Sequence, residues 1–280
     1  MRPWTNAPTS TGAGVLRPEQ FREHVEMRRH PAGEDLAPWI ENVWTLRWDL
    51  PDGVVFPSQT LPHPSCTVSV ERASHPRPEV GSDPVVVTGV VTRRFDVEAR
   101  GHARVLGVKF RPGGLVAFAG GRAREWTDRT VPARSLLPAA VCDGLASVDL
   151  DGDPAAAAGA ALEALASVRP EAVDPRYERL LTIVADMLED RSLVSVAQVE
   201  ARHAVSARSL QRWCTDLVGV GPKWVLARYR MHDAVAELDA GFDGPLTDLA
   251  HRFGWFDQAH FTRDFVDLVG VTPGHYRRRG

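Results

Sequence analysis

Two periodicities divide the chain. Between about Pro38 and Arg111 the apolar residues come in short runs rich in Val, Trp, Thr and Phe. Val43-Trp44-Thr45-Leu46-Arg47-Trp48 is one run, and Cys66-Thr67-Val68-Ser69-Val70-Glu71 alternates with period two. Pro84 to Val91 and Val105 to Phe110 read as buried strands, with Pro51-Asp52-Gly53 and Gly81-Ser82-Asp83-Pro84 as turn signals. After Pro112-Gly113-Gly114 the spacing becomes helical. Leu115 to Ala119 starts a short helix, and Ala133 to Leu150 and Pro154 to Val168 are longer Ala- and Leu-rich ones. Asp153-Pro154 supplies an N-cap followed by Pro at the first helical position, and Arg169-Pro170 ends that helix. From Asp174 the chain is helical almost throughout, with helices predicted at 175–189, 196–202, 206–218, 222–238, 246–253 and 257–269. The pattern predicts an α+β protein. A disordered tail covers residues 1–15, a small β-barrel or sandwich with appended helices 16–170, a linker 171–175, and an all-α domain 176–280.

Inside the helical region the sequence repeats. Residues 206–222 and 257–273 align at an offset of 51 residues. Leu210 matches Phe261, Arg212 matches Arg263, Cys214 matches Phe265, and Leu217-Val218-Gly219-Val220 matches Leu268-Val269-Gly270-Val271. The helix before each copy is displaced by a one-residue difference in the intervening turn. Each copy is thus a short helix, a tight turn and a longer helix, the helix-turn-helix pattern. Gly254 suits a positive φ in the second turn. Leu210, Trp213, Cys214, Leu217 and Val218 form the core stripe of the first long helix, and Phe261, Phe265, Leu268 and Val269 that of the second. Arg208, Gln211, Arg212 and Thr215, then Gln258, Thr262 and Arg263, fall on the opposite faces. Arg pairs bidentately with guanine and Gln with adenine in a major groove.

Composition cuts the other way at first sight. With 33 basic and 36 acidic residues the formal charge is −3, whereas DNA-binding domains are usually basic. Residues 175–280 hold 14 basic and 14 acidic side chains, so even the helical part is neutral. The placement of the charges therefore carries more weight than their sum. Arg208, Arg212, Arg263 and Arg277 to Arg279 lie on or near one expected face. Three cysteines, Cys66, Cys142 and Cys214, form no CxxC pair and predict a reduced, cytoplasmic setting. No stretch approaches 18 apolar residues, so no membrane partner is expected.

The stretch Gly254-Trp255-Phe256-Asp257-Gln258-Ala259-His260-Phe261-Thr262-Arg263-Asp264-Phe265, followed by Gly270-Val271-Thr272-Pro273-Gly274-His275-Tyr276-Arg277, resembles the DNA-binding domain of AraC/XylS-family transcriptional regulators. The resemblance covers about Asp174 to Gly280. It implies two helix-turn-helix units joined by a long helix, with their second helices in successive major-groove segments of double-stranded DNA. Carried over by position, it implies DNA contacts from Ser206, Arg208, Ser209, Gln211 and Arg212, and from Gln258, Ala259, His260, Thr262 and Arg263. Asp257 reads chiefly as an N-cap. Glu200 departs from the pattern, standing where a small alanine is usual.

The N-terminal half is similar to a domain found on some actinobacterial members of that family. The similarity runs through Pro38 to Trp44, Leu61-Pro62-His63-Pro64, Gly89 to Phe95 and Val108 to Gly114. It implies a cupin-like fold that senses an effector or mediates dimerisation, so a small-molecule effector, a second copy of the chain and RNA polymerase are the further partners to expect. Trp39, Trp44 and Trp48 are candidates to line an apolar pocket, and Arg93-Arg94 to hold an anion. His63, His75 and His102 raise a metal-dependent cupin enzyme as the alternative, but they lack a close HxH pair and a Glu at ligand spacing. No Ser/His/Asp set, GxxxxGK loop or GxGxxG is present. The chain reads as a regulator and not an enzyme, with no catalytic residue, metal or cofactor assigned.

Overall fold

The computed structural model describes residues 14–81 and 83–278. The expected tail lies outside the described residues except for Gly14 and Val15. Those two are tied down: Val15 bridges Thr60, and the Leu61 amide donates to the Gly14 carbonyl at 2.7 Å.

A short helix α1 (Pro18–His24) leads into the strands β1 (Glu26–His30), β2 (Ile40–Asp49), β3 (Val55–Thr60), β4 (Thr67–Ala73), β5 (Val85–Thr88), β6 (Phe95–Arg100) and β7 (His102–Phe110). A last strand, β8 (Thr130–Pro132), follows the helix α2 (Val116–Ala119). Six strands form an antiparallel sheet in the order β1-β2-β7-β4-β5-β8, and β3 and β6 form a separate antiparallel pair. The four expected strand runs all appear. Pro84 to Val91 is shortened to Val85–Thr88, because the Trp126 carbonyl presses on the chain at Gly89, where a Cβ would lie 2.0 Å from it. The expected helix over Ala133 to Leu150 is cut back to α3 (Ala139–Ala146), with one turn of 3-10 helix before it. Pro138 explains the break: its fixed φ starts a helix and cannot continue one. α4 (Pro154–Ala166) follows, capped by Asp153 as expected.

The all-α part contains α5 (Pro175–Glu189), α6 (Val196–His203), α7 (Ala207–Trp213), α8 (Pro222–Asp239), α9 (Leu246–Arg252), α10 (Gln258–Val269) and α11 (Pro273–Arg277). α7 runs on through a π-helical turn, Cys214–Val218. Most of these helices open on a side-chain cap. Asp174, Ser195, Ser206, Asp257 and Thr272 each accept a backbone N–H of the first turn.

Two apolar cores run through both halves of the chain. The larger joins the sheet and α3–α4 to α5, α6, α7 and the first half of α8, through Phe110, Leu145, Leu180, Leu210 and Tyr229. The smaller surrounds Phe261 and Phe265 and takes in Leu16 and Leu61 from the N-terminal half. Polar bonds reinforce the seam. The Tyr177 hydroxyl donates to the Pro38 carbonyl at 2.9 Å, Thr127 Oγ1 to the Gly219 carbonyl at 2.9 Å, and Arg228 to the Thr92 carbonyl at 3.2 Å. Arg94, chelated by Asp96, donates to the Val269 carbonyl at the end of α10.

His232 on α8 lies fully in this seam, its Nε2 3.0 Å from the Pro62 carbonyl and its ring 4.4 Å from that of His63. Burial, reinforced by the Lys109 and Arg228 charges, pushes its pKa from 6.5 down to about 4. The unfolded chain therefore binds a proton that the folded chain refuses. Stability is full above pH 6.5 and is lost as the pH falls from 6.5 toward 4, by about 3 kcal/mol for this group. Denaturant titrations across that window should show the decline, and His232→Asn should flatten it.

Candidate nucleic-acid interface and barrel cavity

The two helix-turn-helix units differ in their turns by one residue, which the structure identifies. In both units the buried turn residue donates its amide back to the short helix, Val205 to Glu200 and Trp255 to Ala250, an offset of 50. At the caps Ser206 and Asp257 the offset is 51, so the extra residue is Phe256. It is extruded and 86% exposed, the most exposed large hydrophobic side chain among the described residues. Sequence reading passed over it, although an aromatic inside a tight turn is a signal in itself.

Each turn needs one left-handed residue. Gly254 supplies it in the second unit with φ 77°, and a Cβ there would meet Val194 Cγ1 at 2.6 Å, so the two units touch at this glycine. The first unit places Ala204 in the same conformation, φ 47°. Glu200, the departure from the family pattern, is accommodated at the half-exposed end of α6.

Beyond the turns, the side chains divide as the helical period dictates. Leu210, Cys214, Leu217 and Val218 are buried, as are Phe261, Phe265, Leu268 and Val269. Trp213 is only half-buried and lies under the Arg179 guanidinium. Arg208, Gln211 and Arg212 are exposed on α7, and Gln258, Ala259, His260 and Arg263 on α10; Ser209 and Thr262 are half-buried. Ser206 is occupied as an N-cap, accepting from the Ser209 amide at 3.3 Å. Gln211 bonds Thr215 at 3.1 Å, and Gln258 accepts from Thr247 at 2.8 Å. Asp264 accepts from Trp255 Nε1 at 2.8 Å and lies 3.3 Å from His260, while Arg230 of α8 stacks on the same Trp255 at 4.4 Å. The turn before α10 is thereby fastened to α8. Arg277 is directed inward, to the Gly244 carbonyl at 2.8 Å, and Arg278 is exposed; Arg279 lies outside the described residues.

The N-terminal half encloses a cavity of about 280 Å³ between the large sheet and the β3–β6 pair. Trp44 and Trp48 line it as expected, whereas Trp39 is core. Trp44 lies flat across β7 because Gly107 leaves room for it; a Cβ there would stand 2.1 Å from the indole. At the other end Asn42, Lys109, Thr67 and Thr88 form one register row across β2, β7, β4 and β5. Burial pushes the Lys109 ammonium down to about 8, opposed by the nearby Glu41 carboxylate. Arg94 is used in the seam between the two halves, and Arg93 is exposed. His63 and His75 border the cavity, but among the described residues no three His, Cys, Asp or Glu side chains form a set that would hold a metal ion.

Residues 200–279 match a family described as a helix-turn-helix domain. An AraC-like transcription regulator of Streptomyces antibioticus is 31% identical over 84 residues, 30% of this chain. The C-terminal unit is an AraC-type helix-turn-helix domain. The aligned segment spans only 27% of that relative's length. Residues 28–132, which contain all but the last strand of the large sheet, match a domain of unknown function, DUF6597. Solved structures of ToxT from Vibrio cholerae are similar in outline. One covers 91% of this chain and 98% of its own, with 9% identity and a TM-score of 0.39. An apo variant covers 84% and 97%, with 11% identity and a TM-score of 0.38.

The AraC-type domain thus carries its first turn on an alanine in a conformation costing about 1–2 kcal/mol in an L-residue. Against that stands the extra unfolded-state entropy of glycine. Ala204→Gly is expected to raise unfolding stability by about 0.5–1 kcal/mol, measured by urea denaturation.

Proposed function

We propose that this protein is a sequence-specific, DNA-binding transcriptional regulator in which α7 and α10 read adjacent major-groove segments and the barrel cavity takes a small effector. The observation that carries the first part is the matched pair of capped second helices, each presenting Arg and Gln on its exposed face within an AraC-type domain. Arg208, Gln211, Arg212, Gln258, Ala259 and Arg263 are the base-reading candidates. Ser209, Thr262 and His260 flank them, and the capped N-terminus at Ser206 faces phosphate. The exposed Phe256 at the start of α10 would pack on the DNA sugar or on a thymine methyl.

The second part rests on how the cavity meets the DNA-reading domain. Its wall residues Pro62 and His63 touch His232 of α8. The Thr88 to Val91 wall continues into Thr92 and Arg94, which bond α8 and the end of α10. Occupancy of the cavity would therefore bear on the helix that joins the two units. RNA polymerase and a second copy of the chain are the further partners of this reading.

Gel-shift and footprinting assays on the DNA flanking its own gene test the proposal. Folded protein that shows no sequence-specific binding at any salt concentration would overturn it. Arg263→Ala should weaken binding to the specific site by about 1–3 kcal/mol and relax the preference at one base position. Phe256→Ala should weaken specific binding while leaving the melting temperature unchanged, since the side chain is exposed. Because the domain is neutral, its affinity should fall with salt less steeply than that of a basic regulator.

A further inference from the structure

We propose that the barrel cavity binds a small planar aromatic anion, a one- or two-ring molecule bearing a carboxylate or similar acidic group; this rests on the effector-site reading above and names its ligand class. Size comes first. An apolar cavity of about 150 Å³ admits benzene. At about 280 Å³ this one admits two fused rings with a polar substituent.

The lining then sets the shape and the charge. At one end the indole of Trp44 lies flat on the sheet above Gly107, and Trp48 and Phe95 stand beside it. Trp48 is held in place by its Nε1 bond to the Arg100 carbonyl at 3.2 Å. Flat rings against one another favour a planar, polarisable ligand over a flexible chain. The other end is polar and enclosed. The side-chain oxygens Asn42 Oδ1 and Ser65 Oγ line it, are buried from solvent and have no hydrogen-bond partner among the described residues. Buried polar atoms are nearly always paired, so two orphans facing one cavity mark the place where a ligand's polar group sits.

Charge decides which polar group. Arg29, Arg77 and Lys109 reach the cavity, with Arg111 just behind. The carboxylates at hand are engaged: Glu41 with Arg111 at 3.0 Å, and Glu71 with Arg77 at 2.6 Å. The end occupied by Lys109 and Arg29 is therefore net positive, in an enclosed site where charge is weakly screened. Ser65 can donate to an oxyanion. Asn42 can accept from a hydroxyl on the same ring or turn its amide to donate.

The test uses the full chain with 2-naphthoate, its neutral counterpart 2-naphthamide, and decanoate. Thermal shift and quenching of tryptophan fluorescence report binding. Naphthoate should raise the melting temperature and bind about tenfold or more tighter than the amide, the scale of one charge-assisted hydrogen bond. Lys109→Met should abolish the preference for naphthoate over naphthamide. If that variant does not fold, Ser65→Ala, which removes one orphan, should weaken naphthoate binding and leave the free protein as stable or more so. Equal affinity for acid and amide, no binding of either, or binding of decanoate alone would overturn the ligand class. Naphthoate that binds without altering affinity for the specific DNA site would keep the class and remove the effector reading. A response of DNA affinity to neutral or aliphatic compounds alone would do the reverse.

Discussion

The burial of one helix organises this molecule. α8 has Val225, Leu226 and Tyr229 in the larger core and Met231, Ala234, Val235 and Leu238 in the smaller. Neither helix-turn-helix unit is large enough to bury its own apolar stripe, so each completes its core against this shared helix. The same helix meets the barrel through His232 and Arg228. A close-packed element cannot shift without disturbing every surface it touches. The separation and mutual orientation of α7 and α10 therefore depend on how α8 is held.

That arrangement makes the N-terminal half part of the DNA-reading framework. Leu16 and Leu61 complete the core around Phe261 and Phe265, and Thr127 and Arg94 fasten the ends of the two second helices. The polar floor of the cavity and the polar face of α8 are one electrostatic neighbourhood. The Lys109 charge bears on His232, and the Glu41 charge on Tyr229. Anything that changes the charge at the cavity floor is felt at the connecting helix, because interior charges are weakly screened.

The DNA-reading half was largely legible from residue order. Caps at Asp174, Ser206 and Asp257, apolar stripes at helical spacing and the 51-residue repeat all act within a few turns of chain. Local rules suffice there. They failed where distant chain intervened. The run after Pro84 stops early because Trp126 presses on Gly89, and β3 and β6 went unread because their solvent-facing charges diluted the alternation. Pro138 was a local signal that the Ala- and Leu-rich composition around it obscured.

What the sequence by itself determined is the class of the C-terminal domain and the faces of its helices, since a 3.6-residue period and a cap depend only on neighbours along the chain. The tertiary structure alone decided which residue is extruded from the second turn, which tryptophans line the cavity, and that Asn42, Ser65 and Lys109 converge there. Those residues come from β2, β7 and the chain before β4. Their meeting follows from strand order and register, long-range pairings that no local pattern encodes.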